Sequence, residues 1–216
     1  MGEPDVALRL KVRGRFISLE GGEGVGKSTQ LRRLAEALRA RGRDVVETRE
    51  PGGSAGAEAI RALLLEGEAE RWTPAAEALL FAAARADHVA RTIRPALDRG
   101  AWVLSDRFLD SSLAYQGPAV GTEAIRALHV VGSEGLLPDR TLLLQLPGDA
   151  AAGRARDRDG HEGDRIGGRD AGYHARVASA FDAMAASEPA RFRRIDASGS
   201  ADAVTARILA ALGDLL

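Results

Sequence analysis

The sequence contains no cysteine, and only two of its 30 basic residues, Lys11 and Lys27, are lysines. The absence of cysteine excludes a disulfide framework, a thiol catalyst and a Cys/His zinc site. No apolar run reaches the ~18 residues that a membrane span needs. Residues 1–15 carry Glu3 and Asp5 and lack the apolar segment of a secretory signal. We therefore expect a cytoplasmic protein that has no membrane partner.

An excess of charge of one sign is also missing. The formal net charge is −1 over 216 residues, of which 28% are charged and 45% hydrophobic. This balance gives no reason to expect a nucleic-acid partner, because such proteins usually carry a basic surface. Length and composition suit one globular domain with a large core. We expect residues 1–14 to form an N-terminal extension and residues 15–216 a single domain.

One short stretch matches the phosphate-loop pattern G-x-x-x-x-G-K-[ST]: Gly21, four further residues, and then Gly26-Lys27-Ser28. An apolar run precedes this loop and a helical pattern follows it. Backbone N–H groups in such a loop surround phosphate oxygens, and the lysine reaches the terminal phosphates. The Ser28 hydroxyl can ligate Mg²⁺. We predict a nucleoside triphosphate site formed by Gly21, Gly22, Glu23, Gly24, Val25, Gly26, Lys27, Ser28 and Thr29.

Short apolar strands alternate with amphipathic helices through the rest of the chain. This alternation predicts an α/β P-loop NTPase fold, with a five-stranded parallel sheet and helices on both faces. Thr73 is a predicted N-cap for a long apolar helix, with Pro74 at the first helical position. The segment from Asp110 to Gly117 is predicted to be a polar turn. His88 is interpreted as a surface or capping histidine.

Polar residues at the ends of predicted strands point to a second set of ligands. Asp106 ends the third strand, where a Walker-B acid holds Mg²⁺, and Arg107 beside it can grip a phosphate. An ordinary exposed ion pair is the alternative for these two residues. Arg49 follows the second strand, at the edge where open parallel sheets bind ligands. Taken alone, this segment is better explained as a solvated turn with incidental charges.

A third group of residues suits a planar base. Phe81 and Arg85 lie one helical turn apart and share a face, so an aromatic ring stands beside a guanidinium. The alternative is a core phenylalanine and a surface arginine. Ser112, Tyr115 and Gln116 add groups that can read the edge of a base or a sugar. Together these residues indicate an acceptor of nucleotide size.

Residues 154–169 contain five arginines and four acids among glycines, with no apolar periodicity. Such a segment is too polar to pack, so we predict a mobile lid that supplies cations to the transferring phosphoryl group. A solvated charged loop is the alternative.

The chain has no Asn-Lys-x-Asp guanine-reading sequence, which argues against a GTP switch. The residues indicate a small-molecule kinase, and a kinase for another acceptor or an inert nucleotide-binding protein stays open.

The motifs, in their order, resemble those of the bacterial thymidylate kinases. The resemblance covers about residues 15–198 and rests on Glu20–Ser28, Thr48-Arg49-Glu50-Pro51-Gly52-Gly53, Leu80–His88, Asp106-Arg107, Ser111–Gly117, Pro138-Asp139 and Asp164-Arg165. It implies transfer of a phosphoryl group from ATP to dTMP, giving dTDP for dTTP synthesis. It also implies Mg²⁺ at Ser28 and Asp106, a homodimer formed through helices, and a cis peptide at Glu50-Pro51.

The resemblance also implies roles for single residues. Phe81 would stack on thymine and Arg85 would bond its O4, with Ser112 facing the base. In the same way, Tyr115 would crowd the sugar 2′ position and Glu23 would contact the sugar. The dTMP phosphate would lie on Arg49 and Arg107.

The loop positions 22–25 contain no basic residue, so the resemblance implies a catalytic arginine from the lid. Arg158 fits that role and Arg154 would flank adenine. Two positions depart from the family pattern. Gly167 replaces the usual Glu, and Phe108 replaces the usual Tyr or His.

Overall fold

A computed structural model of the protein describes residues 13–68, 70–146, 166 and 169–216. Its strands are β1 (Arg15–Glu20), β2 (Val45–Arg49), β3 (Trp102–Asp106), β4 (Arg140–Gln145) and β5 (Phe192–Asp196). They form one five-stranded sheet in the order β2-β3-β1-β4-β5, and each neighbouring pair is parallel. The predicted five-stranded parallel sheet is confirmed.

Helices cover both faces of this sheet. The described helices are α1 (Lys27–Arg39), α2 (Ala55–Leu65), α3 (Pro74–His88), α4 (Arg94–Asp98), α5 (Leu109–Tyr115), α6 (Gly117–Val120), α7 (Thr122–Ser133), α8 (Ala171–Ser187) and α9 (Ala201–Ala211), and a π-helical turn, Val89–Ile93, joins α3 to α4. As predicted, Thr73 caps α3, and its side chain accepts a hydrogen bond from the Ala76 N–H. None of these helices combines the length and apolar character needed to span a bilayer.

The core lies on both faces of the central strand β1, because successive side chains of a strand point to opposite sides. Ile17 and Leu19 pack in one cluster with residues of α1 and α9, such as Leu34 and Ile208. Phe16 belongs to a second cluster on the other face, which includes residues of α3, α4 and α5. All of these side chains are fully buried. The sheet is therefore held rigidly between two layers of helices.

The prediction of a polar turn at Asp110–Gly117 was wrong, because α5 spans most of this segment. Its polar residues have buried tertiary partners. The carboxylate of Glu20 accepts hydrogen bonds from the Phe108 N–H at 2.8 Å and from the Ser111 hydroxyl at 2.6 Å. These bonds satisfy groups at the helix N-terminus that would otherwise lack partners. The composition of the segment gave no sign of these partners.

Asp110 anchors α5 to the sheet through a buried ion pair. Its carboxylate is fully buried and accepts two hydrogen bonds from the Arg191 guanidinium, at 2.6 and 2.8 Å. The Thr141 hydroxyl of β4 donates a third bond to Asp110, at 3.0 Å. This bidentate pair joins α5 to the start of β5, so it fixes where the following polar residues of α5 stand.

We predict that Asp110→Ala lowers the free energy of unfolding by about 3 kcal/mol, because it leaves the Arg191 guanidinium without its buried carboxylate. Urea denaturation followed by circular dichroism measures this change. Asp44→Ala is the matched control, since Asp44 pairs with Arg99 on the surface and should contribute little. Equal stability of the two variants would contradict the anchoring role of Asp110.

Candidate active site

The phosphate loop turns sharply between β1 and α1 because its glycines adopt positive φ angles. Gly21, Gly24 and Gly26 have φ values of 134°, 71° and 93°. A Cβ on Gly21 would lie 2.4 Å from the carbonyl oxygen of Leu144, so only glycine fits there. Gly26 is the N-cap of α1 and supplies no side-chain cap. The first amides of α1 can therefore bind an anion.

Lys27 lies at the centre of the site and is buried. Its Nζ donates to the carbonyl oxygens of Gly22 at 2.7 Å and Gly21 at 3.2 Å. Burial, reinforced by the charge of Arg107, lowers the pKa of Lys27 to about 8. A polyphosphate bound beside Lys27 and Arg107 would stabilise both cations. The site thus concentrates positive charge where the loop exposes its amides.

Two side-chain oxygen atoms that could ligate a metal ion lie next to Lys27. The Ser28 hydroxyl donates to Asp106 Oδ2 at 2.7 Å, so the first turn of α1 touches the end of β3. Hydroxyl and carboxylate oxygens suit Mg²⁺, which commonly keeps its waters and takes further ligands from phosphates. No cluster of three or more His, Asp or Glu side chains suited to a metal occurs in the described part of the chain. The donor set fits a phosphate-bound Mg²⁺ rather than an all-protein cage.

Arg107 is held over the phosphate loop. Its Nη2 donates to Glu23 Oε1 at 2.6 Å, and its Nη1 donates to the Gly21 carbonyl at 3.3 Å and to Ser111 Oγ at 3.1 Å. The guanidinium lies 5.0 Å from the centre of the Tyr115 ring. The backbone of Arg107 has a φ of 71°, which is uncommon outside glycine. This turn aims the side chain of Arg107 back at the loop.

A cavity of about 340 Å³, here called the Phe81 cavity, opens from this point. Its lining includes every residue that the sequence analysis assigned to substrate: Glu23, Arg49, Phe81, Arg85, Arg107, Ser112, Tyr115 and Gln116. Arg49 is half-exposed at its rim and pairs with Glu58 at 3.0 Å. Gln116 is buried and donates to Glu77 at 3.0 Å. The fold brings together residues that are up to 93 positions apart in the chain.

A second cavity of about 440 Å³, here called the loop cavity, lies on the other side of Lys27. The phosphate loop and the first turn of α1 form one wall. The other wall is formed by Ala197 and Gly199 of the turn between β5 and α9, together with Ala201 and Val204 at the start of α9. Sequence reasoning missed this second wall. The sequence feature that could have revealed it is the glycine-containing turn after the last predicted strand. That turn lies at the edge of the sheet where parallel α/β folds bind ligands.

The inner end of the Phe81 cavity contains a buried ion pair. Arg85 donates from Nε to Glu50 Oε2 at 2.7 Å and from Nη2 to Ser112 Oγ at 2.8 Å. Burial acts to raise the pKa of Glu50, but Arg85 and His88 outweigh it and lower that pKa below its usual value. Arg85 is therefore not a surface residue, and its guanidinium is fixed on two sides. The Glu50-Pro51 peptide bond in this region is cis, as expected.

The interpretation of His88 as a surface or capping residue was wrong. His88 is fully buried, with Nδ1 at 3.1 Å from Glu50 Oε1 and Nε2 at 2.7 Å from Thr48 Oγ1. Helical spacing from Arg85 could not reveal this, because both partners come from β2 and the turn after it. The unusual Phe108 is also buried, and its ring meets Phe16 edge-on at 4.7 Å. An apolar residue suits that position.

Of the predicted lid, residues 154–169, the structure describes only 166 and 169. The lid residues Arg154 and Arg158, which were assigned roles, and Gly167, which departs from the family pattern, lie outside the described residues. Ile166 is described, is buried and lines the Phe81 cavity. Ile166, a residue of the predicted lid, therefore contacts the same cavity as Phe81.

Comparisons with known proteins agree with this geometry. The family model described as thymidylate kinase matches residues 19–208. A thymidylate kinase of Rhizorhabdus wittichii is 66% identical over 94% of this chain and 99% of its own length. One of Caulobacter vibrioides is 52% identical over 91% of this chain and 94% of its own length.

A solved structure agrees as well. The crystal structure of thymidylate kinase from Ehrlichia chaffeensis superposes with a TM-score of 0.76 at 28% identity, covering 93% of this chain and 99% of that one. The chain therefore belongs to the thymidylate kinase family, which confirms the sequence-based assignment to ATP-dependent dTMP kinases with the P-loop fold.

Proposed function

We propose that the chain transfers the γ-phosphoryl group of ATP to the phosphate of dTMP, with ATP in the loop cavity and dTMP in the Phe81 cavity. The observation that supports this most directly is that Lys27 and Ser28 line both cavities. A donor and an acceptor bound there would meet end to end at these residues. Proteins catalyse phosphoryl transfer almost entirely by positioning the two reactants and by stabilising charge in the transition state.

Cations around this meeting point have separate tasks. Lys27 and the loop amides, Gly21 to Thr29, hold the ATP phosphates. Arg107 and Arg49 hold the dTMP phosphate from the opposite side. Arg107 is already fixed by Glu23 and Gly21, so little freedom is lost when the acceptor binds. Both sets of groups lower the activation barrier of phosphoryl transfer by positioning the reactants and by stabilising negative charge, with no covalent intermediate on the protein.

Ser28 and Asp106 would hold Mg²⁺, with its remaining ligands supplied by phosphates and water. When bound, the ion neutralises charge on the transferring phosphates. Arg158 and Arg154 stay proposed contributors, to the transition state and to adenine binding respectively. We also propose that the lid spans residues 154–169, and that the domain (residues 15–216) acts in the cytoplasm without nucleic-acid or membrane partners.

The base and the sugar lie deeper in the Phe81 cavity. Phe81 stacks on thymine, and the guanidinium of Arg85 donates to its O4. Ser112 accepts from Arg85 and faces the same edge of the base. Tyr115 crowds the 2′ position and Gln116 stands beside it. A kinase for a different nucleoside monophosphate or small acceptor is the alternative, and the family assignment does not favour it.

We predict that the protein phosphorylates dTMP, and dUMP more slowly, while dCMP, dGMP and AMP react at least ~100-fold less efficiently, because an O4 acceptor is needed opposite Arg85. ADP release by a coupled assay measures kcat/KM for each acceptor. Lys27→Met, which removes the loop cation, should lower turnover of dTMP by a factor of at least ~1,000. The variant also controls for contaminating kinases. Faster turnover of AMP than of dTMP would refute the proposed acceptor.

Stacking by Phe81 gives a second prediction. Phe81→Leu should raise the KM for dTMP by about tenfold with little change in kcat, because stacking on an aromatic ring contributes about 1–3 kcal/mol to base binding. Phe81→Tyr keeps the ring and should retain a KM within ~3-fold of the wild type. Steady-state kinetics in dTMP at saturating ATP separates the two constants. An equal KM for Phe81→Leu and wild type would place the base elsewhere.

We further propose a homodimer formed through α3 and α7. These helices pack together, and they carry three large apolar side chains that are at least half-exposed: Leu79 at 56%, Val130 at 61% and Val131 at 86%. Large exposed apolar side chains on two neighbouring helices are a feature that a two-fold interface would bury.

We predict that the wild-type protein sediments as a dimer and that Val131→Glu sediments as a monomer, because each copy would place a charge in the apolar interface. Sedimentation velocity over a range of concentrations measures this. Ala206→Glu, on the exposed side of α9, is the control and should stay dimeric. A dimeric Val131→Glu variant would exclude this face as the interface.

A further inference from the structure

The buried histidine of α3 has no part in the function proposed so far. His88 is fully buried and lies one turn after Arg85 on the same helix. Its ring nitrogens contact two residues of the β2 strand and the turn that follows, Thr48 and Glu50. A buried polar side chain that satisfies two partners on another element normally sets the geometry between those elements.

The direction of the hydrogen bonds follows from the chemistry of the carboxylate. Arg85 and His88 stabilise the ionised form of Glu50, and an ionised carboxylate can only accept hydrogen bonds. His88 Nδ1 must therefore carry a proton and donate to Glu50 Oε1 at 3.1 Å. The opposite oxygen, Oε2, accepts from Arg85 Nε at 2.7 Å. One carboxylate thus joins the histidine to the arginine.

The same chain of contacts reaches the cavity. Arg85 Nη2 donates to Ser112 Oγ at 2.8 Å and to the Phe108 carbonyl at 3.3 Å. Its Nη1 makes no hydrogen bond to any described residue, and Arg85 lines the Phe81 cavity. Nη1 is the nitrogen left to meet a ligand. Its position depends on the Nε contact with Glu50, because the guanidinium is planar and rigid.

The turn after β2 is built closely around His88. A Cβ on Gly53 would lie 2.4 Å from His88 Nε2 and 2.4 Å from Thr48 Oγ1. The Thr92 hydroxyl donates to the Gly53 carbonyl at 2.7 Å and holds the turn from the other side. Only glycine fits at position 53, because the backbone there packs directly against the His88 ring. Glu50 belongs to the same turn and contacts the same ring.

We propose that His88 is a positioning residue for base recognition, which acts through Glu50 to aim Arg85 at the 4-position of a pyrimidine. This inference rests on the proposed function, since Arg85 reads a base only if a nucleotide occupies the Phe81 cavity. His88 itself touches neither substrate. It orients a carboxylate that orients a ligand-binding cation, as outer residues do around metal ligands.

Two substitutions at His88 test the hydrogen bonds of the two ring nitrogens separately. In His88→Asn, the amide nitrogen takes the place of Nδ1, so the bond to Glu50 is kept and the bond to Thr48 is lost. In His88→Gln, the amide nitrogen takes the place of Nε2, so the bond to Thr48 is kept and the bond to Glu50 is lost. Both variants remove the same buried ring, which makes them a matched pair for stability.

We expect His88→Gln to raise the KM for dTMP about tenfold, with kcat changed by less than ~3-fold, because a hydrogen bond to a buried charge is lost from the binding site. The preference for dTMP over dCMP, measured as a ratio of kcat/KM, should fall by a similar factor. His88→Asn should keep both values within ~3-fold of the wild type. The ¹H and ¹⁵N shifts of Arg85 Nε, measured without substrate, should move in His88→Gln only.

Each other outcome has a distinct meaning. If the two variants lower Tm alike while KM, base preference and the Arg85 shifts stay unchanged, His88 is structural and the proposal is overturned. Equal losses of base preference in both variants would also overturn it, because the effect of His88 on Arg85 would then not depend on the bond to Glu50. A wild-type protein with no activity on dTMP would instead refute the proposed function.

Thr48→Val is the second variant if His88→Gln does not fold. It removes only the bond to Nε2, from a half-buried strand position, and keeps the shape of the side chain. Like His88→Asn, it should leave the KM for dTMP within ~3-fold of the wild type and the Arg85 Nε shifts unmoved, because the ring keeps its bond to Glu50. A rise in KM of about tenfold, or a moved Arg85 shift, would overturn the proposal, because the bond to Thr48 would then transmit the effect.

Discussion

The parallel pairing of β1 with β3 is the constraint on which the site depends. Their register places Leu19 beside Asp106, so the phosphate loop and the Asp106-Arg107 turn leave the sheet at the same edge. The Arg107 N–H donates to the Leu19 carbonyl at 3.0 Å, which continues the pairing beyond the strands. Lys27, Ser28, Asp106 and Arg107 meet for this reason. Without that register, Asp106 and Arg107 would not lie beside Lys27 and Ser28.

Charges around the site are paired before any ligand arrives. Arg107 is paired with Glu23 at 2.6 Å, and Arg85 is paired with Glu50 at 2.7 Å. The Arg85–Glu50 pair is buried, so it costs desolvation energy and adds little net stability, whereas the Arg107–Glu23 pair is partly exposed. Both pairs fix the direction in which the guanidinium points. The two guanidinium groups lie where we propose that the acceptor's phosphate and its base carbonyl bind. Preorganised donors of this kind are what phosphoryl transfer requires.

Much of the fold and of the site could be predicted from local patterns. The phosphate loop, the N-cap at Thr73 and all five strands follow from short-range features: glycine spacing, capping residues and apolar alternation. The residues assigned to substrate also proved to line one cavity. The errors share one cause. His88 and the segment of α5 were judged from composition, although their partners, Glu50 and Glu20, lie 38 and about 90 positions away.

By itself, the sequence determined the chemistry: a phosphate loop with its lysine, an acid at a strand end, and an aromatic residue one turn from an arginine. These are local signals, because each depends on neighbours within a few positions. Only the tertiary structure decided which polar groups are buried and what they contact. It turned Glu50 and His88 inward and closed a second wall of the loop cavity with the turn after β5. Such pairings depend on strand order and register, which no short stretch of sequence encodes.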